Sequence, residues 1–196
     1  MSTTTPGVRA RRREQTRREI LEAAWRLAER DGIAGLSLRD LAGEVGMQAP
    51  SLYTYFDGKA TIYDAMFAEG YRQLDEAVTH LPVGTTDPVG SLGEHIAAFV
   101  DFCRASVPRH QLLFTRAVPD WEPSPEAYAV SVASYTHMSE RLARLGIVAE
   151  RDLDLLTALT SGLASQQLAN DPGGHRWRDL SHQAAEMFLS HVRRTG

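Results

Sequence analysis

The chain has 196 residues with a single cysteine, 43% hydrophobic and 23% charged residues, a composition that suits one or two globular domains with a real core. It excludes an intrachain disulfide framework and a cysteine-rich zinc site, and no apolar run is long enough to cross a membrane. The formal net charge of −4 is unevenly divided: residues 1–63 carry ten basic and eight acidic side chains, and residues 64–196 carry eleven and seventeen.

The N-terminal segment MSTTTPGVRARRREQTRRE has arginines but no apolar stretch behind them, so it is not a secretory signal, and a cytoplasmic location is expected. Residues 8–18 hold six arginines against Glu14 alone. Residues 1–13 are expected to form a disordered arm, either simply solvated or positioned against nucleic acid, because phosphate contact supplies most non-specific affinity.

Period-2 alternation is absent and helical periodicity recurs throughout, which predicts an all-α fold of about nine helices. A first helix is expected over Glu14–Asp31, with Ile20, Leu21, Ala24, Leu27 and Ala28 on one face and Gly32 as its C-cap. Ser37 starts a second helix, with Asp40 three residues on, ending at Gly46. A third runs from Gln48 to Phe56, with Pro50 tolerated in its first turn. A longer helix follows from Lys59 to about Leu81. Beyond the turn at residues 82–88, helices are predicted at 88–106, 108–117, 124–145, 150–170 and 177–194. Residues 14–65 thus form a helix-turn-helix head, and residues 66–196 a larger helical body.

The head carries the clearest chemistry. Its third helix turns Leu52 and Phe56 inward and presents small, hydroxylated and aromatic side chains with no carboxylate, a face that phosphates would not repel. Lys59, the only lysine in the chain, stands at the next helix start.

The run LSLRDLAGEVGMQAPSLYTYFDGKATIYDAM resembles the DNA-binding head of the TetR family of bacterial transcription regulators over about residues 14–65. The shared pattern is a capped helix, A-x-x-V-G, S-L-Y-x-Y-F, and a lysine at the following helix start. The resemblance implies a homodimer that binds a palindromic operator in double-stranded DNA and is released by a small-molecule effector. It implies that Lys59 donates to a phosphate and that Tyr53 and Tyr55 contact phosphate or pack in the groove. Ser37 would cap its helix beside the backbone, and Arg39 would take a guanine edge. Ala49, Pro50, Ser51 and Thr54 would meet base edges or thymine methyls. Gln48 stands where many relatives have Ser or Thr as a cap, so whether it caps or reads a base stays open. Arg39 has the alternative of pairing with Asp40, and Tyr53 that of packing.

In the body, Phe67, Tyr71, Phe99, Phe102, Phe114, Trp121, Tyr128, Tyr135 and Met138 are candidates for an apolar or aromatic effector pocket, with His110, His137, Gln166 and Gln167 as its polar groups. Each has core packing as its alternative. The resemblance puts the pocket between the helix from Lys59 and the helices of residues 92–168. It also makes the last two helices the dimer interface. Leu156, Leu159, Gly162, Leu163, Ala184, Met187, Phe188 and Val192 are its candidates, with Ala158, Ala164 and Ser165 as small residues that admit close approach.

Two other function classes compete. An enzyme is disfavoured, because seven histidines show no H-E-x-x-H, no paired metal spacing and no nucleophile motif, and Cys103 sits in an apolar helix pattern. No cofactor, metal or membrane partner is expected. A helical adaptor that keeps the head without reading DNA is the remaining alternative.

Overall fold

The computed structural model describes residues 7–195. Among them are nine α-helices, two short 3-10 turns and no strand. The helices are α1 (Val8–Asp31), α2 (Leu38–Glu44), α3 (Ala49–Leu52), α4 (Lys59–Thr79), α5 (Pro88–Ala105), α6 (Val107–Phe114), α7 (Pro125–Ala143), α8 (Glu150–Asn170) and α9 (Ser181–Thr195).

Two expectations are corrected at the head. The segment expected to be disordered over residues 1–13 is helical from Val8 onward; residues 1–6 lie outside the described residues. The third helix is far shorter than residues 48–56. Its regular part ends at Leu52, and the chain closes through tighter bonds, with the amides of Thr54 and Tyr55 donating to the carbonyls of Ser51 and Leu52 at 3.2 and 2.8 Å. Phe56 is still drawn inward, buried with Leu52.

The ends of these helices follow local chemistry. Ser37 caps α2, its hydroxyl accepting from the Asp40 amide at 3.4 Å. At the other end Gly46 has φ 68°, a conformation glycine adopts without penalty. The Met47 amide then donates back to the Ala42 carbonyl at 2.8 Å, and the Gly46 amide to Gly43 at 3.2 Å. This paired closure fixes the turn between α2 and α3.

Ile20, Ala23, Ala24, Leu27 and Ala28 of α1 form the core of the head with Leu41, Ala42, Leu52 and Phe56. The expected boundary at residue 65 falls inside α4, which packs on α1 of the head and on α5, α6 and α7 of the body. In the body α5 is central, touching α4, α6, α8 and α9. Cys103, fully buried on α5, is part of this core, and burial pushes its thiol up to about 12.

Candidate nucleic-acid interface and effector cleft

The turn at Gly46 delivers α3 with one side pinned in the core and the other in solvent. Arg39, Gln48, Pro50, Ser51, Tyr53 and Thr54 are exposed, and Ser37, Ala49, Tyr55 and Lys59 are half-buried beside them. The sequence-predicted DNA residues on α2, α3 and the start of α4 are thus all at least partly open to solvent. Tyr53 is 56% exposed, so it is not a packing residue of the free protein. Arg39 pairs with no described residue, Asp40 included. The Gln48 side chain makes no cap hydrogen bond.

Lys59 begins α4, where free amides and the helix dipole add positive potential. Its ammonium lies 5.4 Å over the Tyr63 ring and donates weakly to the Ala34 carbonyl at 3.4 Å. The buried Tyr63 hydroxyl donates to the Ile33 carbonyl at 2.8 Å, which holds the α1–α2 connection against α4. Among the described residues no carboxylate pairs with the lysine. Gly58 N–H donates to Thr61 Oγ1 at 3.3 Å, and that hydroxyl donates back to the Gly58 carbonyl at 2.8 Å, so the helix start is firmly built.

Two residues that support this surface were missed from sequence. The Arg17 guanidinium on α1 donates to the Tyr55 carbonyl and lies 4.2 Å over the Phe56 ring. Arg13, one turn earlier, lies 5.8 Å over the Tyr55 ring. Their i, i+4 spacing was a visible signal, but the partners lie about forty residues away in sequence.

The body holds an open cleft of about 980 Å³ between α4, the end of α6, the loop of residues 115–124 and the start of α7. Phe67, Phe114, Trp121 and Tyr128 line it. Tyr71 and Phe99 meet Phe114 edge-on behind that wall, and the His110 ring lies tilted against it. Burial lowers the His110 pKa and pushes Tyr71 up to about 12. In the cleft loop Asp120 has φ 56°, a strained backbone for a residue other than glycine.

The other candidates lie elsewhere. Phe102 is buried under the Arg109 guanidinium at 4.0 Å. Tyr135, His137 and Met138 are on the outer side of α7, with His137 3.4 Å from Asp75. Gln166 is exposed and accepts from Asn170. Gln167 has 0% exposure and is a latch rather than a pocket group. Its amide donates to Asp171 and Gly174 carbonyls, and its oxygen accepts from the Trp177 and Arg178 amides at 3.0 and 3.1 Å.

The interface candidates also divide. Leu156, Leu163, Ala184 and Phe188 are buried within the subunit, as is Ala164; α5 packs on both α8 and α9 and takes these faces for the intrachain core. Leu159 and Val192 are half-buried. Gly162 and Met187 are exposed, with Leu155, Ala158 and Ser165 beside Gly162 on the same side of α8. The spacing 155, 158, 162, 165 matches a helix-packing seam.

Residues 20–66 match the model of the bacterial regulatory proteins of the tetR family. The chain is 26% identical over 102 residues to the HTH-type transcriptional repressor NicS of Pseudomonas putida, covering 52% of this chain and 48% of NicS. It is 43% identical over 47 residues to the HTH-type transcriptional repressor DrrR1 of Streptomyces coeruleorubidus, covering 24% of this chain and 17% of that protein. The matches thus span half or less of these relatives. The structure is similar to the TetR family transcriptional regulator PfmR of Thermus thermophilus, with a TM-score of 0.61 at 22% identity, covering 87% and 97% of the two chains.

Proposed function

The chain is a TetR-family transcription regulator, and from that premise we propose that it is a repressor that binds a palindromic operator as a homodimer and leaves it when a small apolar or aromatic molecule enters the cleft. The observation that carries the reading is the exposed, carboxylate-free face of Gln48–Tyr55 beside Arg39 and Lys59. A face kept free of acid and backed by arginines from α1 suits a polyanion. Tyr53 and Lys59 take phosphates, while Arg39, Pro50, Ser51 and Thr54 face base edges.

Phe67, Phe114, Trp121 and Tyr128 offer stacking surface to an aromatic effector. Phe67 and Lys59 share α4, eight residues and roughly 12 Å apart at a helical rise. Asp64, between them, accepts from the Ser124 amide at 3.1 Å at the cleft margin. A molecule that displaces this margin moves the helix that carries the phosphate-binding lysine. The second copy packs on Leu155, Ala158, Gly162, Ser165 and Met187. The protein works in the cytoplasm, on the nucleoid when bound.

Salt titration of binding to duplex DNA tests the reading against the adaptor alternative. The regulator shows log K falling linearly with log salt, whereas an adaptor that has ceased to dock on DNA shows no measurable binding.

A further inference from the structure

The exposed arginines at the start of α1 lie outside the core. Ile20 is the first fully buried residue of that helix, so the preceding twelve residues, roughly 18 Å of helix, contribute no core face. Their charges work against helicity twice. Arg9, Arg13 and Arg17 stand at i, i+4 and i+8, where like charges repel. The first turn holds no acidic residue to match the helix dipole. Arg9 and Arg13 are exposed and pair with no carboxylate among the described residues. The stripe they begin is nonetheless seated, through Arg13 and Arg17, against Tyr55 and Phe56 at the edge of the candidate DNA surface.

We infer that the Arg9–Arg13 stripe is a second phosphate-binding element, which grips the DNA backbone flanking each half-site, outside the groove faced by α3. The inference rests on the DNA-binding reading above, and it concerns residues that precede the family match, which begins at residue 20. Charge complementarity selects a polyanion, and contact with Tyr55 selects the duplex already docked on α3. Phosphates between the arginines also remove the repulsion that opposes the helix, so residues 8–17 become more firmly helical on DNA.

The test uses the full chain, a DNA duplex selected by the wild-type protein, and the Arg9→Ala/Arg13→Ala variant. The variant is expected to flatten the slope of log K against log salt by about three to four units per dimer, near one for each lost contact. Its base preference stays unchanged, and Arg9→Lys/Arg13→Lys restores most of the slope. In the wild-type complex, amide exchange over residues 8–17 slows relative to free protein, which a merely solvated arm does not do. If wild type binds the duplex but the variant keeps the same slope, the stripe does not touch phosphate and the inference is wrong. A changed base preference at constant slope also overturns it, assigning the arginines to base edges. If wild type binds no duplex at all, the DNA-binding reading itself falls, and this element with it.

Discussion

Lys59 and Arg39 are both assigned to the candidate DNA surface, yet the two should fail differently when removed. Lys59 is a compact cation on a flexible stem at a helix start, suited to a phosphate that shifts slightly between sequences. Lys59→Ala should weaken all duplexes nearly uniformly and flatten the salt slope by roughly two units per dimer. Arg39→Ala should instead relax preference at one position in each half-site, losing roughly 1–3 kcal/mol of discrimination per pair. Binding to a set of single-position operator variants at two salt concentrations separates them, and a Lys59→Ala variant with altered base preference would contradict the assignment. Lys59 stood out in the sequence because a lone lysine after Y-x-Y-F is a local pattern. Arg17 was not, since its meaning lies in a carbonyl and a ring reached only after folding. The Gln167 amide sits in an apolar helix face and so resembled a pocket group; only the closing of the α8–α9 loop shows its four backbone partners.

A histidine outside the site makes a pH prediction at the same scale. His95 Nε2 lies 2.7 Å from the Arg141 guanidinium, which donates to the Val78, Thr79 and Leu81 carbonyls and so caps α4. Burial, then the Arg141 charge, lowers the His95 pKa below its ordinary 6.5. The unfolded chain therefore binds the proton first, and stability present above 6.5 is lost as the pH falls below it. The thermal midpoint should fall between about pH 7 and pH 5, and less steeply in His95→Gln. Equal slopes for the two proteins would remove His95 from the account.

At the scale of elements, boundaries set by capping chemistry were readable: Ser37, Gly46, Pro88 and Ser124 lie where side-chain caps, glycine or proline put them. The length of α3 was not, because its last turn depends on burying Phe56 rather than on any breaker before Asp57. Which leucines of α8 face outward was likewise illegible, since a helix apolar on several faces does not declare which one α5 takes. Gln167→Leu should lower stability by about 2–4 kcal/mol, because it leaves the Trp177 and Arg178 amides and two carbonyls short of partners. Calorimetry should show a fall of roughly 5–15 °C in Tm, with effector affinity unchanged; a specific loss of effector binding at constant Tm would return Gln167 to the pocket. An added side chain at Gly162 meets nothing within 4 Å inside the subunit. Gly162→Arg should therefore leave the fold intact and yield monomers by sedimentation, whereas an unchanged dimer would move the interface elsewhere.

For the whole molecule, one helix does the joining. Residues of α4 hold Lys59 at one end, the cleft wall at Phe67, and the Arg141 cap at the other. The all-helical plan was visible in periodicity, since helices of this length carry their own signal. The cleft was visible only as aromatic residues in the middle helices, because its walls meet across loops that periodicity does not place. The most direct measurement of the central claim is selection of bound duplexes from a random pool by the wild-type protein, followed by reselection with effector-sized aromatic compounds present. The account predicts a palindrome whose half-sites are related by a twofold axis, with centres about one helical turn or slightly more apart, lost from the pool when a cleft ligand is added. A pool that returns no enriched sequence, or an enriched site without twofold symmetry, would contradict it.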